Sequence, residues 1–179
     1  RSSGTQGLAF ARSLRNQGAE VKLIAANNGV HTDSFETISA VTFEEMEKAL
    51  LATECDFLVM AAAVGDYLVD RSPTKLPRTD QELHLRPSED LVKKFKENYP
   101  STVVLAFSVS DQDGDWVSVG REKRLAKGAE FILANSTAAF ESQDSVACLI
   151  GEQEHMLSGS KQSIADSVIK LISDSLVLK

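Results

Sequence analysis

The run DFLVMA, at residues 56–61, decides the fold class of this chain. It is short, apolar and bounded by polar residues, which is typical of a strand buried on both faces of a sheet. TVVLAF at residues 102–107 and FILA at residues 131–134 repeat the pattern farther along the chain. Because strands of this kind belong to parallel sheets, we predict a sheet that is mainly parallel.

Helical patterns lie between these strands. TFEE at residues 42–45 is a capping box that opens one helix, Ser88 is the expected cap of another, and Gly128 is the expected end of a third. Alternating strands and helices predict an α/β fold: a Rossmann-like, mainly parallel sheet with helices on both faces and a C-terminal hairpin. We predict helices at 5–17, 42–53, 88–98, 116–127 and from Ser160 onwards, further strands at 20–26 and 82–85, and a hairpin within 146–157.

The composition is that of a globular protein, with 179 residues of which 42% are hydrophobic and 25% charged. The length predicts a single domain, 1–179. The formal net charge of −7 disfavours general binding to nucleic acid or to an anionic membrane. No apolar run approaches the roughly 20 residues of a membrane span. Cys55 and Cys148 both lie in apolar stretches and indicate core residues of a protein in a reducing, cytoplasmic compartment.

Ligands of such sheets bind beyond the C-terminal ends of the strands, so the segments near these ends are candidate sites. SSGTQG opens the first helix with Ser2, Ser3, Gly4 and Gly7. These small residues allow a phosphate to approach the backbone N–H groups at a helix N-terminus. The spacing is neither that of a dinucleotide fingerprint nor that of a P-loop, and an ordinary capped helix start is the alternative.

Asp66 follows the strand at residues 56–61 after a run of small residues. Its carboxylate suits the hydroxyl groups of a sugar or a magnesium-bound water, and a turn residue is the alternative. Lys75 belongs to a long irregular stretch, residues 62–86, and long loops in compact domains are often lids that fold over a ligand. The alternative for Lys75 is a solvated charge.

Lys123 and Lys127 are four residues apart on one predicted helix, so their ammonium groups share a face and suit a triphosphate. Lysines near a helix C-terminus also complement the helix dipole, which is the alternative. Asn135 follows the strand at residues 131–134 and can bind a base or an amide through its donor and its acceptor. A turn residue is the alternative there.

Other kinds of site are not indicated. His31, His84 and His155 have no acidic or cysteine partner at ligand spacing, so no zinc site is predicted. The sequence has no nucleophile elbow and no Cys–His signature, which disfavours a covalent hydrolase.

The candidate segments occur in an order that resembles the phosphopantothenoylcysteine synthetases, the second half of the bacterial bifunctional flavoproteins of coenzyme A biosynthesis. No single motif is decisive, but the collinear set covers nearly the whole chain. Its segments are SSGTQGLA (2–9), AAAVGDY (61–67), Lys75, LHLRPSEDLV (83–92), LAF (105–107), KRxxK (123–127) and ILAN (132–135).

The resemblance implies a ligase that joins 4′-phosphopantothenate to cysteine, with CTP activating the carboxylate as an acyl-cytidylate and with Mg²⁺ required. It also implies that the loop carrying Lys75 is a flexible flap over the site. It implies a homodimer that pairs partly through residues 75–85, and fusion to, or action with, a flavin-dependent decarboxylase. Lys75 is the implied catalytic residue. The implied nucleotide contacts are Met60, Ala61, Ala62, Asp66, Lys75, Arg86, Pro87, Ser88, Glu89, Phe107, Lys123 and Lys127. The implied phosphate or substrate loop is Ser2, Ser3, Gly4 and Gly7, with Ala63 and Asn135 as further candidates for the site.

The chain also departs from the family pattern. It opens on Arg1, immediately after the position at which the family has an Asn, and the family's first strand and Gly-rich turn precede that Asn. We therefore expect a domain that lacks its first strand. SVSD at residues 108–111 stands where the family usually has small residues and a Glu. The choice between CTP and ATP stays open. A ligase for another acid and a non-catalytic nucleotide- or metabolite-binding module are the alternatives. A nicotinamide-dependent oxidoreductase is disfavoured, because G-x-G-x-x-G and a Tyr-x-x-x-Lys pair are absent.

Overall fold

The computed structural model describes residues 4–26, 35–69, 74–75, 78–80, 82–110, 115–136 and 145–177. Within these ranges strands and helices alternate, which confirms the predicted α/β class. In chain order the elements are α1 (Thr5–Asn16), β1 (Lys22–Ala25), β2 (Glu36–Ser39), α2 (Phe43–Leu51), β3 (Phe57–Met60), β4 (Tyr67–Val69), β5 (Leu85–Pro87), α3 (Leu91–Asn98), β6 (Val103–Ser110), α4 (Trp116–Lys127), β7 (Phe131–Ser136), β8 (Ser145–Ile150), β9 (Glu154–Gly159) and α5 (Lys161–Val177).

Five strands form one sheet in the order β3-β6-β7-β8-β9. The strands β3, β6 and β7 are parallel, with Met60 opposite Ala106 and Phe107 opposite Leu133. The strands β8 and β9 form the predicted antiparallel C-terminal hairpin at one edge of the sheet, where β8 also pairs with β7 in antiparallel orientation. Two further pairs form separate ribbons, β1 with β2 in parallel and β4 with β5 in antiparallel orientation. The expected mainly parallel arrangement is confirmed.

Helices cover both faces of the five-stranded sheet, as the sequence predicts. On one face α1 and α5 bury Phe10 and Val168 against Leu105 of β6. On the other face α2, α3 and α4 pack over Val104, with Phe95 of α3 fully buried. Adjacent residues of β6 serve opposite faces because side chains alternate along a strand. Each large side chain buried in this way contributes roughly 1.5–3 kcal/mol.

The helix α4 approaches the sheet closely at Gly120. A Cβ atom at this position would lie 2.7 Å from Cδ1 of Ile150 and 2.9 Å from Cβ of Ala134. The absence of a side chain therefore sets the distance between α4 and the sheet. The helix ends at Gly128, whose φ of 65° is a left-handed conformation that glycine adopts without strain.

Two predicted helix starts are confirmed by their hydrogen bonds. Oγ1 of Thr42 accepts from the backbone N–H of Glu45 at 3.2 Å, and Oε2 of Glu45 accepts from the N–H of Thr42 at 3.0 Å. Oγ of Ser160 accepts from the N–H of Ser163 at 3.1 Å. Each bond satisfies a backbone donor that the first turn of a helix leaves without an intrahelical partner.

The prediction that Ser88 caps a helix is wrong, because α3 begins after Asp90. The strand expected at residues 82–85 lies at Leu85–Pro87 instead. The strands β2 and β4 are not predicted by the sequence, because each has only three or four residues and is largely exposed. Within the described ranges no helix has both the length and the apolar character that crossing a membrane requires.

Candidate functional site

A cavity of about 440 Å³ lies where β3 ends, bordered by β6, by the start of α3 and by the second half of α4. This is the C-terminal end of a parallel strand, where open α/β sheets bind their ligands. The cavity is lined by Met60, Ala62, Ala63, Val64, Asp66, Ser88, Glu89, Asp90, Leu91, Val92, Ala106, Phe107, Lys123, Ala126 and Lys127.

Ser88 joins the segment after β3 to the segment before α3. Its Oγ donates to the carbonyl oxygen of Gly65 at 2.7 Å, and its backbone N–H donates to the carbonyl oxygen of Asp66 at 2.9 Å. The Ser88 side chain thus contacts Gly65, and the cap of α3 is Asp90, two residues later. The two bonds of Ser88 also fix the position of Asp66 at the edge of the cavity.

Asp90 caps α3 and contacts α4. Its Oδ1 accepts from the backbone N–H groups of Val92 at 3.0 Å and Lys93 at 3.2 Å. Its Oδ2 accepts from Nζ of Lys127. Burial acts to raise the pKa of Asp90, but the hydrogen bonds from Lys127 and from the two backbone N–H groups hold that pKa below its usual value.

The two lysines of α4 differ in their surroundings. Lys127 is three-quarters buried and paired with Asp90. Lys123 also lines the cavity, one helical turn earlier, and its ammonium group has no ion-pair partner among the described residues. The cavity wall thus carries one ammonium held by a carboxylate and one that can bind an anion.

The carboxylates of the cavity differ in the same way. Glu89 accepts a hydrogen bond from Nζ of Lys94 at 2.5 Å, which holds the pKa of Glu89 below its usual value. Lys94 also donates to Oε1 of Glu47 on α2, at 2.6 Å. Asp66 is exposed, and its carboxylate has no ion-pair partner among the residues that the structure describes. Of the three acidic side chains in the cavity wall, Asp66 is therefore the one available to a ligand.

Phe107 and Ala61 connect this region to α1, on the opposite face of the sheet. The ring of Phe107 lines the cavity and meets the ring of Phe10 edge to face, with centroids 5.4 Å apart. A Cβ at Gly7 would lie 3.7 Å from Cβ of Ala61. The first turn of α1 therefore starts close to the end of β3.

The structure brings most of the predicted nucleotide contacts together in the cavity wall. They are Met60, Ala62, Asp66, Ser88, Glu89, Phe107, Lys123 and Lys127, together with the further candidate Ala63.

Other candidate residues lie elsewhere. Arg86 and Pro87 belong to the exposed strand β5, and Lys75 is exposed in the segment between β4 and β5. Asn135 is the penultimate residue of β7, on the face of α1 and α5, and its Oδ1 is buried with no hydrogen-bond partner among the described residues. Three candidates do not line the cavity but lie at the start of α1 or against it, namely Gly4, Gly7 and Ala61. Ser2 and Ser3 lie outside the described residues.

Sequence reasoning did not identify several residues of the cavity wall. Asp90 is the most consequential, and its signal was available: Asp is as good an N-cap as Ser, and it directly precedes the apolar pair Leu91 and Val92. The others are apolar, and apolar residue types do not distinguish a ligand site from a core. They are Val64, Leu91, Val92, Ala106 and Ala126.

Residues 1–176 match the family described as DNA/pantothenate metabolism flavoprotein C-terminal domain. The chain belongs to this family. The coenzyme A biosynthesis bifunctional protein CoaBC of Thermococcus kodakarensis is 29% identical over 158 residues, which cover 84% of this chain and 39% of that protein. The protein of the same name from Mycobacterium tuberculosis is 27% identical over 194 residues, with 96% and 46% covered. The chain thus spans less than half the length of these curated relatives.

Solved structures share the fold. The DNA/pantothenate metabolism flavoprotein of Streptococcus pneumoniae superposes with a TM-score of 0.83 at 18% identity, covering 97% of this chain and 88% of that one. The C-terminal domain of a coenzyme A biosynthesis bifunctional protein CoaBC gives 0.73 at 22% identity, with 99% and 85% covered. A Cab2 variant in complex with phosphopantothenate-cysteine gives 0.73 at 10% identity, with 98% and 78% covered.

Proposed function

We propose that this chain is the ligase domain that joins 4′-phosphopantothenate to cysteine and uses CTP to activate the carboxylate. The observation that carries the proposal is the cavity at the end of β3, where Lys123 and Lys127 share a wall with the available carboxylate Asp66. Family membership and a structural neighbour that binds phosphopantothenate-cysteine support the choice of substrates. We propose a cytoplasmic location, and action with, or fusion to, a flavin-dependent decarboxylase.

The proposed reaction has two steps. A carboxylate oxygen of phosphopantothenate attacks the α-phosphorus of CTP, the bond from that phosphorus to the pyrophosphate oxygen breaks, and pyrophosphate leaves. The amine of cysteine then attacks the acyl carbon, the bond from that carbon to the CMP oxygen breaks, and the amine releases a proton to solvent. Both leaving groups carry developing negative charge, which fixed cations stabilise.

The α4 lysines supply these cations. Lys123 meets the phosphates with all of its donors, because no described residue pairs with it. Lys127 has three N–H donors and gives one to Asp90, so two remain for a phosphate. Mg²⁺ fits this donor set as an ion carried by the nucleotide phosphates, since Mg²⁺ sites in proteins use one or two carboxylates beside substrate oxygens. Asp66 is the residue that would hold it.

The remaining candidates have places in this proposal. The small residues Ala62 and Ala63 allow a flat base or a sugar to lie against the backbone at the end of β3. Lys75 would reach the phosphates when its segment closes over the site, and closure would exclude water from the acyl-cytidylate. Gly4 and Gly7, together with Ser2 and Ser3, would bind the acid substrate at the start of α1. Asn135 would offer its buried amide oxygen on the same face.

We further propose that the domain includes one more parallel strand, which fits between β1 and β3. Among the described residues β1 and β3 each have a strand partner on one side only. A strand between β1 and β3 would pair with the free edge of each and would join the β1–β2 ribbon to the five-stranded sheet. Hydrogen exchange of the intact protein tests this, because the unpaired N–H groups of β3 would then be protected.

The function is tested with the intact protein, CTP, Mg²⁺ and 4′-phosphopantothenate. We expect CTP-dependent release of pyrophosphate, and formation of the amide product only after cysteine is added.

Lys123→Met should lower kcat/KM for CTP at least a hundredfold, because a charged contact to the phosphates is lost. Lys170→Met is the matched control, since Lys170 lies exposed on α5. Lys75→Ala should lower turnover while the protein stays folded.

Two results would favour the alternatives. Pyrophosphate release that requires another carboxylic acid would indicate a ligase for that acid. Binding of CTP without pyrophosphate release, whatever the acid, would indicate a nucleotide-binding module. If the protein were fully active with ATP in place of CTP, the proposed nucleotide would be wrong but the proposed reaction would stand.

A further inference from the structure

We propose that Asp90 is a positioning residue, which fixes the ammonium group of Lys127 in the cavity wall before the nucleotide arrives. The inference deepens the proposed function and rests on it, because it assigns a role toward the nucleotide phosphates. Asp90 itself does not contact the reacting atoms in this scheme and acts through Lys127.

The Asp90 carboxylate is well suited to this role because its own position is fixed. Its Oδ1 accepts the N–H groups of Val92 and Lys93, at 3.0 and 3.2 Å, and these belong to the first turn of α3. Its Oδ2 is then directed toward α4, where it accepts from Nζ of Lys127. The lysine is thus held by a group that is itself anchored to the helix backbone.

The arrangement also connects two elements that border the same cavity. Asp90 and Lys127 are 37 residues apart in sequence, yet both line the wall. Lysine has a long side chain with many rotamers, so an ammonium fixed in advance loses less freedom when a phosphate binds. Lys123, with no partner in the described part of the chain, gains no such advantage.

An Asp90 carboxylate that competes with the phosphates would affect nucleotide binding differently from one that positions Lys127. If the carboxylate competed with the phosphates for Lys127, its removal would strengthen nucleotide binding. If it positions Lys127, its removal weakens nucleotide binding, and only while Lys127 is present. The sign of the change and its dependence on Lys127 therefore separate positioning from competition and from a structural role.

The test measures the dissociation constant of CTP with Mg²⁺ by calorimetry in the intact protein. Asp90→Asn keeps an oxygen that can cap α3, since Asn and Asp are equally good caps, but removes the charge that holds Lys127. We expect about tenfold weaker binding in Asp90→Asn, from the loss of a charge-assisted contact. Asp90→Ser, with a hydroxyl that also caps but is too short to reach Lys127, should give the same result.

A double-mutant cycle completes the test. We expect Lys127→Met to weaken CTP binding, and Asp90→Asn to add nothing further when it is combined with Lys127→Met. The matched control is Glu154→Gln, which breaks the ion pair of Glu154 with Arg121 on the same helix but outside the cavity wall. It should leave the affinity for CTP unchanged.

The outcomes are separable. Unchanged or tighter CTP binding by Asp90→Asn, or additive losses in the double variant, would overturn the positioning role while leaving the proposed function intact. Failure of the unmodified protein to bind CTP, or indifference of CTP binding to Lys127→Met, would overturn the proposed nucleotide site and this inference with it.

Discussion

The Asp90 carboxylate combines two functions at the level of single atoms. One oxygen satisfies backbone donors of α3, and the other satisfies a lysine of α4. Because all of these bonds favour the ionised carboxylate, they stabilise the fold only while Asp90 carries its charge.

This predicts how stability depends on pH. The folded-state pKa of Asp90 is depressed, so its contribution is complete above the pKa of an unfolded Asp, about 3.9, and is lost as the pH falls through the lower folded-state value. In urea unfolding, Asp90→Asn should be less stable than the unmodified protein at pH 6, and the difference should shrink below about pH 4.

The control for this experiment is Glu54→Gln, which changes an exposed carboxylate with no ion pair in the described part of the chain. A stability difference between Asp90→Asn and the unmodified protein that is the same at pH 6 and pH 3 would contradict the role of the charge.

Packing between elements depends on one residue without a side chain. At Gly120 the backbone of α4 lies close to β7 and β8, with Ala134 and Ile150 occupying the space that a Cβ would need. This approach determines how far the helix that carries Lys123 and Lys127 stands from the sheet, and therefore where both ammonium groups lie.

We expect Gly120→Ala to lower the free energy of unfolding by about 1 kcal/mol. Overpacking of a core typically costs about 1–3 kcal/mol, and the better helix propensity of Ala returns about 1 kcal/mol. Urea denaturation measures the difference. Gly65→Ala is the control, since a Cβ there would lie 3.6 Å from its nearest neighbour, which is ordinary contact. A more stable Gly120→Ala variant would show that α4 is free to shift.

On the scale of the whole molecule, the β4–β5 ribbon presents an apolar face to solvent. Tyr67 and Val69 stand on one face, opposite Pro87 and Leu85 on the neighbouring strand. The exposed fractions are 63% for Tyr67, 47% for Val69 and 53% for Leu85. Exposed apolar clusters of this kind mark interaction surfaces. We propose that a second copy of the chain covers this face, which includes Leu85, the last residue of the segment 75–85 for which the family resemblance implies pairing.

The proposal predicts the oligomeric state. The unmodified protein should have twice the mass of one chain in light scattering after size exclusion, and Leu85→Lys should shift it to the mass of a monomer, because a buried ammonium group in the interface lacks a partner. Leu125→Lys alters another exposed leucine, on α4, and should leave the dimer intact. A dimer that persists in Leu85→Lys would place the interface elsewhere.

Local signals in the sequence were sufficient for much of the fold. The capping box at Thr42, the helix end at Gly128 and the apolar strands follow from residues within a few positions of one another, and the structure confirms them. The order of motifs was likewise enough to indicate the family that the comparison establishes. Helix ends and buried strands can be read from sequence because their causes are short-range: backbone donors in one turn and apolar residues in one run.

Tertiary structure decided what depends on distant parts of the chain. Ser88 and Asp90 are both suitable caps, and in the folded chain Ser88 bonds to Gly65, 23 residues away, while Asp90 caps α3. The Lys127 partner likewise comes from another helix. By itself the sequence determined the α/β class, the helices and buried strands of the main sheet, and the order of motifs that indicates the family. The tertiary structure decided which polar groups are already engaged, because hydrogen bonds between remote segments form only when the packed core brings those segments together.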